Sequence, residues 1–254
     1  MPKTKELMTC DKVRHWSSEN PILALTAYDY PMARILDEAG TDILHVGDSL
    51  GMVIMGDEDT TQVTMEQMCY HTKAVSKARQ RALITADLPY GSYDTPRDAV
   101  RCAKKLLEAG ADAVKLEGGD EIKEQIIALR SEGIEIQGHL GLLPQRIKEE
   151  GRYRRKGVTS EQVEQMKRDA ELLVQLGVFS IVLEAVVHEV ANEITSLISV
   201  PTIGIGSGSQ TTGQIHVIHD VLGLFPWFVP PFVKQEAKLA DEIFKAIDRL
   251  KKSL

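Results

Sequence analysis

The chain has 254 residues, 43% of them hydrophobic, and a formal net charge of -7. That apolar share suffices for a sizeable core in one large domain or two small ones. The negative balance excludes the basic footprint that a phosphate backbone requires, so nucleic acid is not an expected partner.

The opening stretch, MPKTKELMTCDKVRHW, has no apolar h-region, so no signal peptide is expected. No apolar run approaches the ~18 residues of a membrane helix, so no membrane partner is expected either. Cys10, Cys69 and Cys102 are scattered, form no CxxC and cannot all pair. That pattern points to a reducing, cytoplasmic compartment.

Taken in chain order, short apolar runs alternate with amphipathic stretches. The first run, Ile22–Ala27, leads into Tyr28-Asp29. The second, Asp42–Val46, stops at Gly47 and is followed by Asp48-Ser49 and a Gly- and acid-rich loop with no obvious helix. The three acids of that loop, Asp57, Glu58 and Asp59, read as a rim or packing loop and not as a second metal site. Thr64 with Gln67 predicts a capping box for the helix before the third run. That run, Ala82–Ala86, ends on Asp87. Thr95-Pro96-Arg97-Asp98 then reads as N-cap, proline at the first helical position and an acid at N3. The stripe Ala99, Ala103, Leu106 follows, and Gly110 ends it.

The fourth run, Ala113–Leu116, carries Lys115 and is followed by Glu117; the fifth, Ile134–Gln137, is followed by His139. The segment Lys148–Gly157 is the most charged loop and holds Arg152, Arg154, Arg155 and Lys156, which read as a solvated surface able to attract an acidic cosubstrate. Thr159 and Gln162 open a helix with Val163, Met166, Ala170 and Leu173 on one face and Gly177 as its stop. The sixth run, Ser180–Leu183, ends on Glu184, and the seventh, Pro201–Ile205, runs into GIGSGS. This last loop lacks a full G-x-G-x-x-G and reads as close backbone packing at the rim. The set His216, His219 and Asp220 reads as structural. The region Trp227-Phe228-Val229 is the candidate eighth strand. From about Gln235, the spacing of Ala237, Ala240, Phe244 and Ile247 predicts a last amphipathic helix.

The runs are short and apolar on both parities, as parallel strands buried on both faces are. A βα alternation fits an open doubly wound sheet and a closed (β/α)8 barrel. The length matches the ~250 residues usual for a barrel. The expected fold is therefore α/β, a (β/α)8 TIM barrel, with residues 1–254 as one domain.

In a barrel the residues that follow each strand share one rim. An acid directly after a strand commonly caps the next helix. Asp48 and Asp87 lead into Ser-Leu-Gly-Met and Leu-Pro-Tyr-Gly, and Glu117 into Gly118-Gly119, so none precedes a strong helix at once. Glu184 could cap or pair, because Ala185-Val186-Val187 could begin a helix. Lys115, near the end of a buried strand, needs an anion from protein or substrate. His139 fits a hydrogen-bonded core histidine and a site residue equally. Together, Asp48, Asp87 and Glu117 offer hard oxygen ligands without thiolates, which suits Mg²⁺. A 2-oxo acid could chelate such an ion, which would stabilise an enolate. Lys115 would balance its charge, and Glu184 is a candidate general base for the adjacent C–H.

TAYDY (26–30), VGDSLGM (46–52), YHTKAV (70–75), ADLPYGSY (86–93), AGADAVKLEGG (109–119), GHLGLLPQ (138–145), VLEAV (182–186) and IGIGSG (203–208) occur in order. Over nearly its whole length the chain resembles the ketopantoate hydroxymethyltransferase family. The resemblance implies a (β/α)8 barrel and a homo-oligomer, commonly a decamer. It implies transfer of a one-carbon unit from 5,10-methylenetetrahydrofolate to 3-methyl-2-oxobutanoate. By motif, Asp48 and Asp87 would bind Mg²⁺ and Glu117 would complete the metal site. Asp48, Ser49, Asp87 and Lys115 would contact the 2-oxo acid. Glu184 would accept the proton and His139 would line the pocket.

The chain departs from the family pattern at several loops. Thr212 stands where Asp is usual, Gln62 replaces a Pro and Leu143 a Thr. Pro231 stands where Lys is common, and Arg152, Arg155 and Lys156 alter a G-x-Y-x-V-Q-G loop. These bear on the folate side and on assembly and leave the metal set untouched. Two other readings remain. A Mg-dependent lyase or mutase of the isocitrate lyase type would share the 2-oxo acid chemistry, but its Lys-Lys-Cys-Gly-His signature is missing. A non-catalytic paralogue would have no need of the intact acid set.

Overall fold

A computed structural model describes residues 6–254; residues 1–5, which begin the stretch expected to lack a leader, lie outside it. Eight parallel strands close into a barrel in sequence order. They are β1 (Ile22–Thr26), β2 (Ile43–Val46), β3 (Leu83–Asp87), β4 (Ala113–Glu117), β5 (Ile136–Gly141), β6 (Ser180–Glu184), β7 (Thr202–Ile205) and β8 (Gly213–His216). The seam is made where the Ile22 N–H donates to Thr212 O at 3.1 Å. Every residue of β2, β3 and β4 is buried, as expected for strands covered on both faces.

The helices are α1 (Cys10–Arg14), α2 (Tyr30–Ala39), α3 (Met65–Ala78), α4 (Pro96–Glu108), α5 (Lys123–Ser131), α6 (Ile147–Glu150), α7 (Ser160–Gln175), α8 (His188–Leu197), α9 (Ile218–Val221) and α10 (Leu239–Lys252). Their starts follow the local chemistry. The Thr64 and Gln67 side chains exchange the reciprocal bonds of a capping box at α3. Thr95 caps α4, with Pro96 at its first position and Ala99, Ala103 and Leu106 buried on its inner face. Thr159 caps α7, but Gln162 Oε1 accepts from Gly157 and Val158 N–H instead of closing a box. Asp29 is a true cap: its carboxylate accepts from Met32 N–H at 2.8 Å.

The eighth strand differs from expectation. It is Gly213–His216, whereas Trp227–Val229 forms turn and irregular structure. Pro226, Pro230 and Pro231 crowd that aromatic segment, and Trp227 and Phe228 are exposed. The loop after Asp48 also differs, because Gly51–Met55 forms a single wide helical turn.

Inside the barrel, Ile22, Ile43, Leu83, Ala113, Phe179, Ile203 and Ile215 form an apolar floor near the strand starts, closed by Met8, Cys10 and Val13. Fully burying such an Ile, Leu or Phe is worth roughly 1.5–3 kcal/mol. The polar residues lie toward the strand ends, where the site is built.

The chain divides into two compact units, the first ending at Ile215 and the second spanning His216–Leu254. The second unit holds α9 and α10. None of α10 is buried, and Ile243, Phe244, Ile247 and Leu250 are all exposed. No helix among the described residues is long and apolar enough to cross a membrane.

Candidate active site

Asp87 ends β3 and Lys115 lies opposite it in register on β4. The Lys115 ammonium stands 2.8 Å from Asp87 Oδ1. On β5, His139 Nδ1 is 3.2 Å from Lys115 Nζ. An ammonium can only donate, so Nδ1 accepts and the ring proton sits on Nε2. That nitrogen is 3.3 Å from Glu184 Oε2 at the end of β6. Glu117 Oε1 lies 3.6 Å from His139 Nδ1. Four successive strands thus carry a chain of ionisable groups around one volume.

Asp48 and Asp87 do not cap helices. The Asp48 N–H donates to Asp87 Oδ2 at 2.9 Å. The Asp48 side chain accepts instead from Gln145 Nε2 at 2.8 Å. Glu184 does not cap α8, whose start lacks a side-chain cap. Ser49, only partly buried, shares a 2.8 Å hydrogen bond with the buried Tyr28 hydroxyl. Asp48, Asp87, Lys115, Glu117 and His139 are all buried. Glu184 keeps 19% of its side chain exposed and so faces the open side.

The electrostatics follow from three buried carboxylates sharing one ammonium. Burial, then the nearby Asp87 and Glu117, push the Asp48 carboxyl well above its usual range. Burial pushes Asp87 the same way, but Lys115 and His45 outweigh it and hold Asp87 below the usual range. Burial opposes the charge on Lys115, yet Asp87, Glu117 and Asp48 raise its proton affinity above the ordinary value.

This excess of negative charge fits a divalent cation, and the donors are hard oxygens of the kind Mg²⁺ takes. Among the described residues, no three His, Cys, Asp or Glu side chains already converge at metal-ligand spacing.

Several site residues carry no signal in the sequence. Gln145 is buried after β5; its backbone N–H donates to Glu117 Oε2 at 3.1 Å, and its amide oxygen accepts from Tyr93 OH at 2.7 Å. His45 on β2 reaches both Thr85 and Asp87. Ala185, directly after Glu184, holds a left-handed φ of 49°. Only the order of the motif GHLGLLPQ pointed toward Gln145, without assigning it a role.

Ser207 in GIGSGS accepts from the Val186 N–H at 3.0 Å and donates to Leu183 O at 2.7 Å. His216 ends β8, while His219 and Asp220 lie in α9. Asp59 caps the short turn Thr60–Gln62. Thr212 lies at the strand starts, where its hydroxyl accepts from the Thr202 N–H at 3.3 Å, far from the rim. The charged loop ends beside Glu184: the Lys156 N–H donates to Ala185 O and the Val187 N–H to Lys156 O, each at 2.9 Å. In that loop, burial and then Glu184 push the Tyr153 hydroxyl up to about 12.

In fold, the chain is similar to the solved phosphoenolpyruvate phosphomutase of Streptomyces platensis subsp. rosaceus. That likeness has a TM-score of 0.68 at 12% identity and covers 96% of this chain and 88% of that one. In sequence it is 49% identical over 248 residues to the 3-methyl-2-oxobutanoate hydroxymethyltransferase of Pyrococcus abyssi, covering 97% of this chain and 88% of that protein. The enzyme of the same name from Ignicoccus hospitalis is 46% identical, covering 96% of this chain and 93% of its own. The family model described as ketopantoate hydroxymethyltransferase matches residues 7–254. With the strand-end acids in place and a match of that extent, the chain belongs to the ketopantoate hydroxymethyltransferase family.

Proposed function

We propose that this protein transfers a hydroxymethyl group from 5,10-methylenetetrahydrofolate to 3-methyl-2-oxobutanoate, giving 2-dehydropantoate. The observation that carries this reading is the run Asp87, Lys115, His139, Glu184 on adjacent strands, in a chain of this family. Asp48 and Asp87 would hold Mg²⁺, with Glu117 completing the site. When bound, the ion supplies Lewis-acid polarisation of the 2-oxo group. Asp48, Ser49, Asp87 and Lys115 contact the acid, and the Lys115 ammonium balances its negative charge.

Glu184 takes the C3 proton, and the C–H electron pair becomes the enolate, which forms a C–C bond to the donor's methylene carbon as that carbon's bonds to the two folate nitrogens break; one water supplies the hydroxyl, and tetrahydrofolate leaves. His139 Nε2 lies 3.3 Å from Glu184 Oε2 and so stands beside this base. The loop bearing Arg152, Arg155 and Lys156 is tied beside Glu184, which supports a role on the donor side. A cytoplasmic setting is supported by the three free cysteines. The unburied apolar stripe of α10 supports a homo-oligomer.

The deciding measurement is deuterium exchange at C3 of 3-methyl-2-oxobutanoate, with Mg²⁺ and without folate. Exchange is expected in the natural chain and should fall by ~10²–10⁴-fold in Glu184→Gln, with Mg²⁺ binding retained. Unimpaired exchange in that variant would remove Glu184 from the role. Adding methylenetetrahydrofolate should then yield the hydroxymethyl product; cleavage of a 2-hydroxy diacid instead would favour a lyase.

A further inference from the structure

His45 sits at the third position of β2, pointing into the barrel below the site, and is 3% exposed. Barrel interiors at this depth are usually packed with branched aliphatic side chains. An imidazole there carries two polar nitrogens whose burial is costly unless both are satisfied. Here both have partners. Nδ1 is 2.8 Å from Thr85 Oγ1, and Nε2 is 3.3 Å from Asp87 Oδ2.

The direction of this chain is fixed by chemistry. The Asp87 carboxylate only accepts, so Nε2 carries the proton and Nδ1 accepts from the Thr85 hydroxyl. Asp87 Oδ2 also accepts from the Asp48 N–H at 2.9 Å. Two donors from one segment of chain therefore hold Oδ2, and Oδ1 is left toward the Lys115 ammonium at 2.8 Å. The backbone makes room for the ring: a Cβ on Gly47 would lie 3.1 Å from His45 Cδ2 and 2.9 Å from Ser49 Oγ.

We infer that His45, oriented by Thr85, is a positioning residue that helps hold the Asp87 carboxylate in one rotamer, with Oδ2 tied down and Oδ1 turned toward Lys115. An apolar side chain would fill the same space but would remove one of the donors that fix the carboxylate, leaving only the Asp48 N–H and the Lys115 ammonium to hold it. The inference rests on the reading of Asp87 as a Mg²⁺ ligand, because a fixed rotamer matters most where an ion must find its oxygen.

The test uses the full chain and calorimetric titration with Mg²⁺ alone, with thermal melts as a check on folding. Asp87→Asn serves as the control and should lose most of the Mg²⁺ affinity. His45→Leu is expected to weaken Mg²⁺ binding by ~10–100-fold, the usual effect of losing a partner behind a metal ligand. Its melting temperature should not fall in proportion, since the apolar side chain packs well. His45→Gln keeps an N–H donor and should recover most of the affinity. Thr85→Val leaves the ring in place but unoriented and should show a smaller loss in the same direction; it decides the matter should His45→Leu not fold. Wild-type affinity in His45→Leu and Thr85→Val, with Asp87→Asn impaired, would overturn the positioning role. Wild-type affinity in Asp87→Asn would instead overturn the metal reading, and the inference with it.

Discussion

Gln145 Nε2 donates to Asp48 Oδ2 at 2.8 Å, joining residues 97 positions apart. The same nitrogen donates to Leu88 O at 2.9 Å, while the Gln145 backbone holds Glu117 and Tyr93 OH closes on its amide oxygen. One uncharged side chain thus ties together loops after β2, β3 and β5. Replacing it with alanine leaves the Tyr93 hydroxyl and the Asp48 carboxylate without their partner. Gln145→Ala should cost about 1–3 kcal/mol of stability, the range for an orphaned buried polar group. Denaturant unfolding reads the stability, and Mg²⁺ titration should show weaker binding. Unchanged values in both would mean that the amide is only filling space.

Among the described residues, Lys115 is the sole ammonium beside the buried acids of the site, so Lys115→Met should be severe. Leaving a buried charge unpaired typically costs about 3–5 kcal/mol. The sign of its pH dependence is fixed. Asp87 has a folded value below its unfolded one, so its pairing stabilises above the unfolded carboxylate range and is lost as pH falls. Lys115 has a raised value, so its contribution is present at neutral pH and is lost only as pH rises through that raised value. The deficit of Lys115→Met should therefore be largest near neutrality and shrink toward acidic pH, as the freed carboxyls take up protons. Melting curves at neutral and mildly acidic pH, with the wild type alongside, test this.

Gly141 ends β5 at φ 97°, and a Cβ there would stand 2.3 Å from Glu184 O. Gly141→Ala must therefore displace the end of β6 and adopt a backbone that L-residues disfavour. A loss of more than about 1 kcal/mol in stability is expected. A shift of about 1 Å at Glu184, the proposed base, can cost ~10²-fold in rate, so kcat should fall while Mg²⁺ affinity stays near normal. Equal losses in both would point to general unfolding instead.

Burial raises the Asp220 carboxyl to about 6 in α9. Its unfolded value lies near 3.9, so the folded state binds the extra proton between about pH 4 and 6. Stability from this group is greatest below that window and is lost as pH rises through it. Asp220→Asn should remove the dependence and melt higher than the wild type at pH 7.5, with little difference at pH 4. After allowance for solvent screening, the gain should not exceed about 1 kcal/mol.

Much of this arrangement was legible in the chain. Seven strands announced themselves as apolar runs, because burial on both faces leaves no polar parity to break the signal. The threonine starts of α3, α4 and α7 were readable because capping is a local event. Asp48 and Asp87 stood out by leading into loops, whereas Asp29 led straight into α2 and capped it. β8 was hidden because its four residues begin with glycine and alternate buried and half-buried positions, so no apolar run forms. The aromatics at Trp227 and Phe228 imitated a strand, although prolines bar a ladder there. Gln145 and His45 gave no spacing signal, because their partners are brought to them only by barrel closure. The amphipathic helix expected from about Gln235 begins only at Leu239, leaving Ala237 before it, and α10 buries none of its residues.

The seam between Ile22 and Thr212 governs how this protein comes into being. A ribosome must extrude nearly the whole barrel sequence before the ring can shut. Every acid and base of the site, from Asp48 to Glu184, is already synthesised while the sheet still has two open edges. Those edges are unsaturated hydrogen-bonding templates, and late closure of a parallel sheet is slow. The nascent chain therefore carries its costly buried charges through a stage when water can still reach them, and newly made molecules are most prone to aggregate in the interval before β8 arrives.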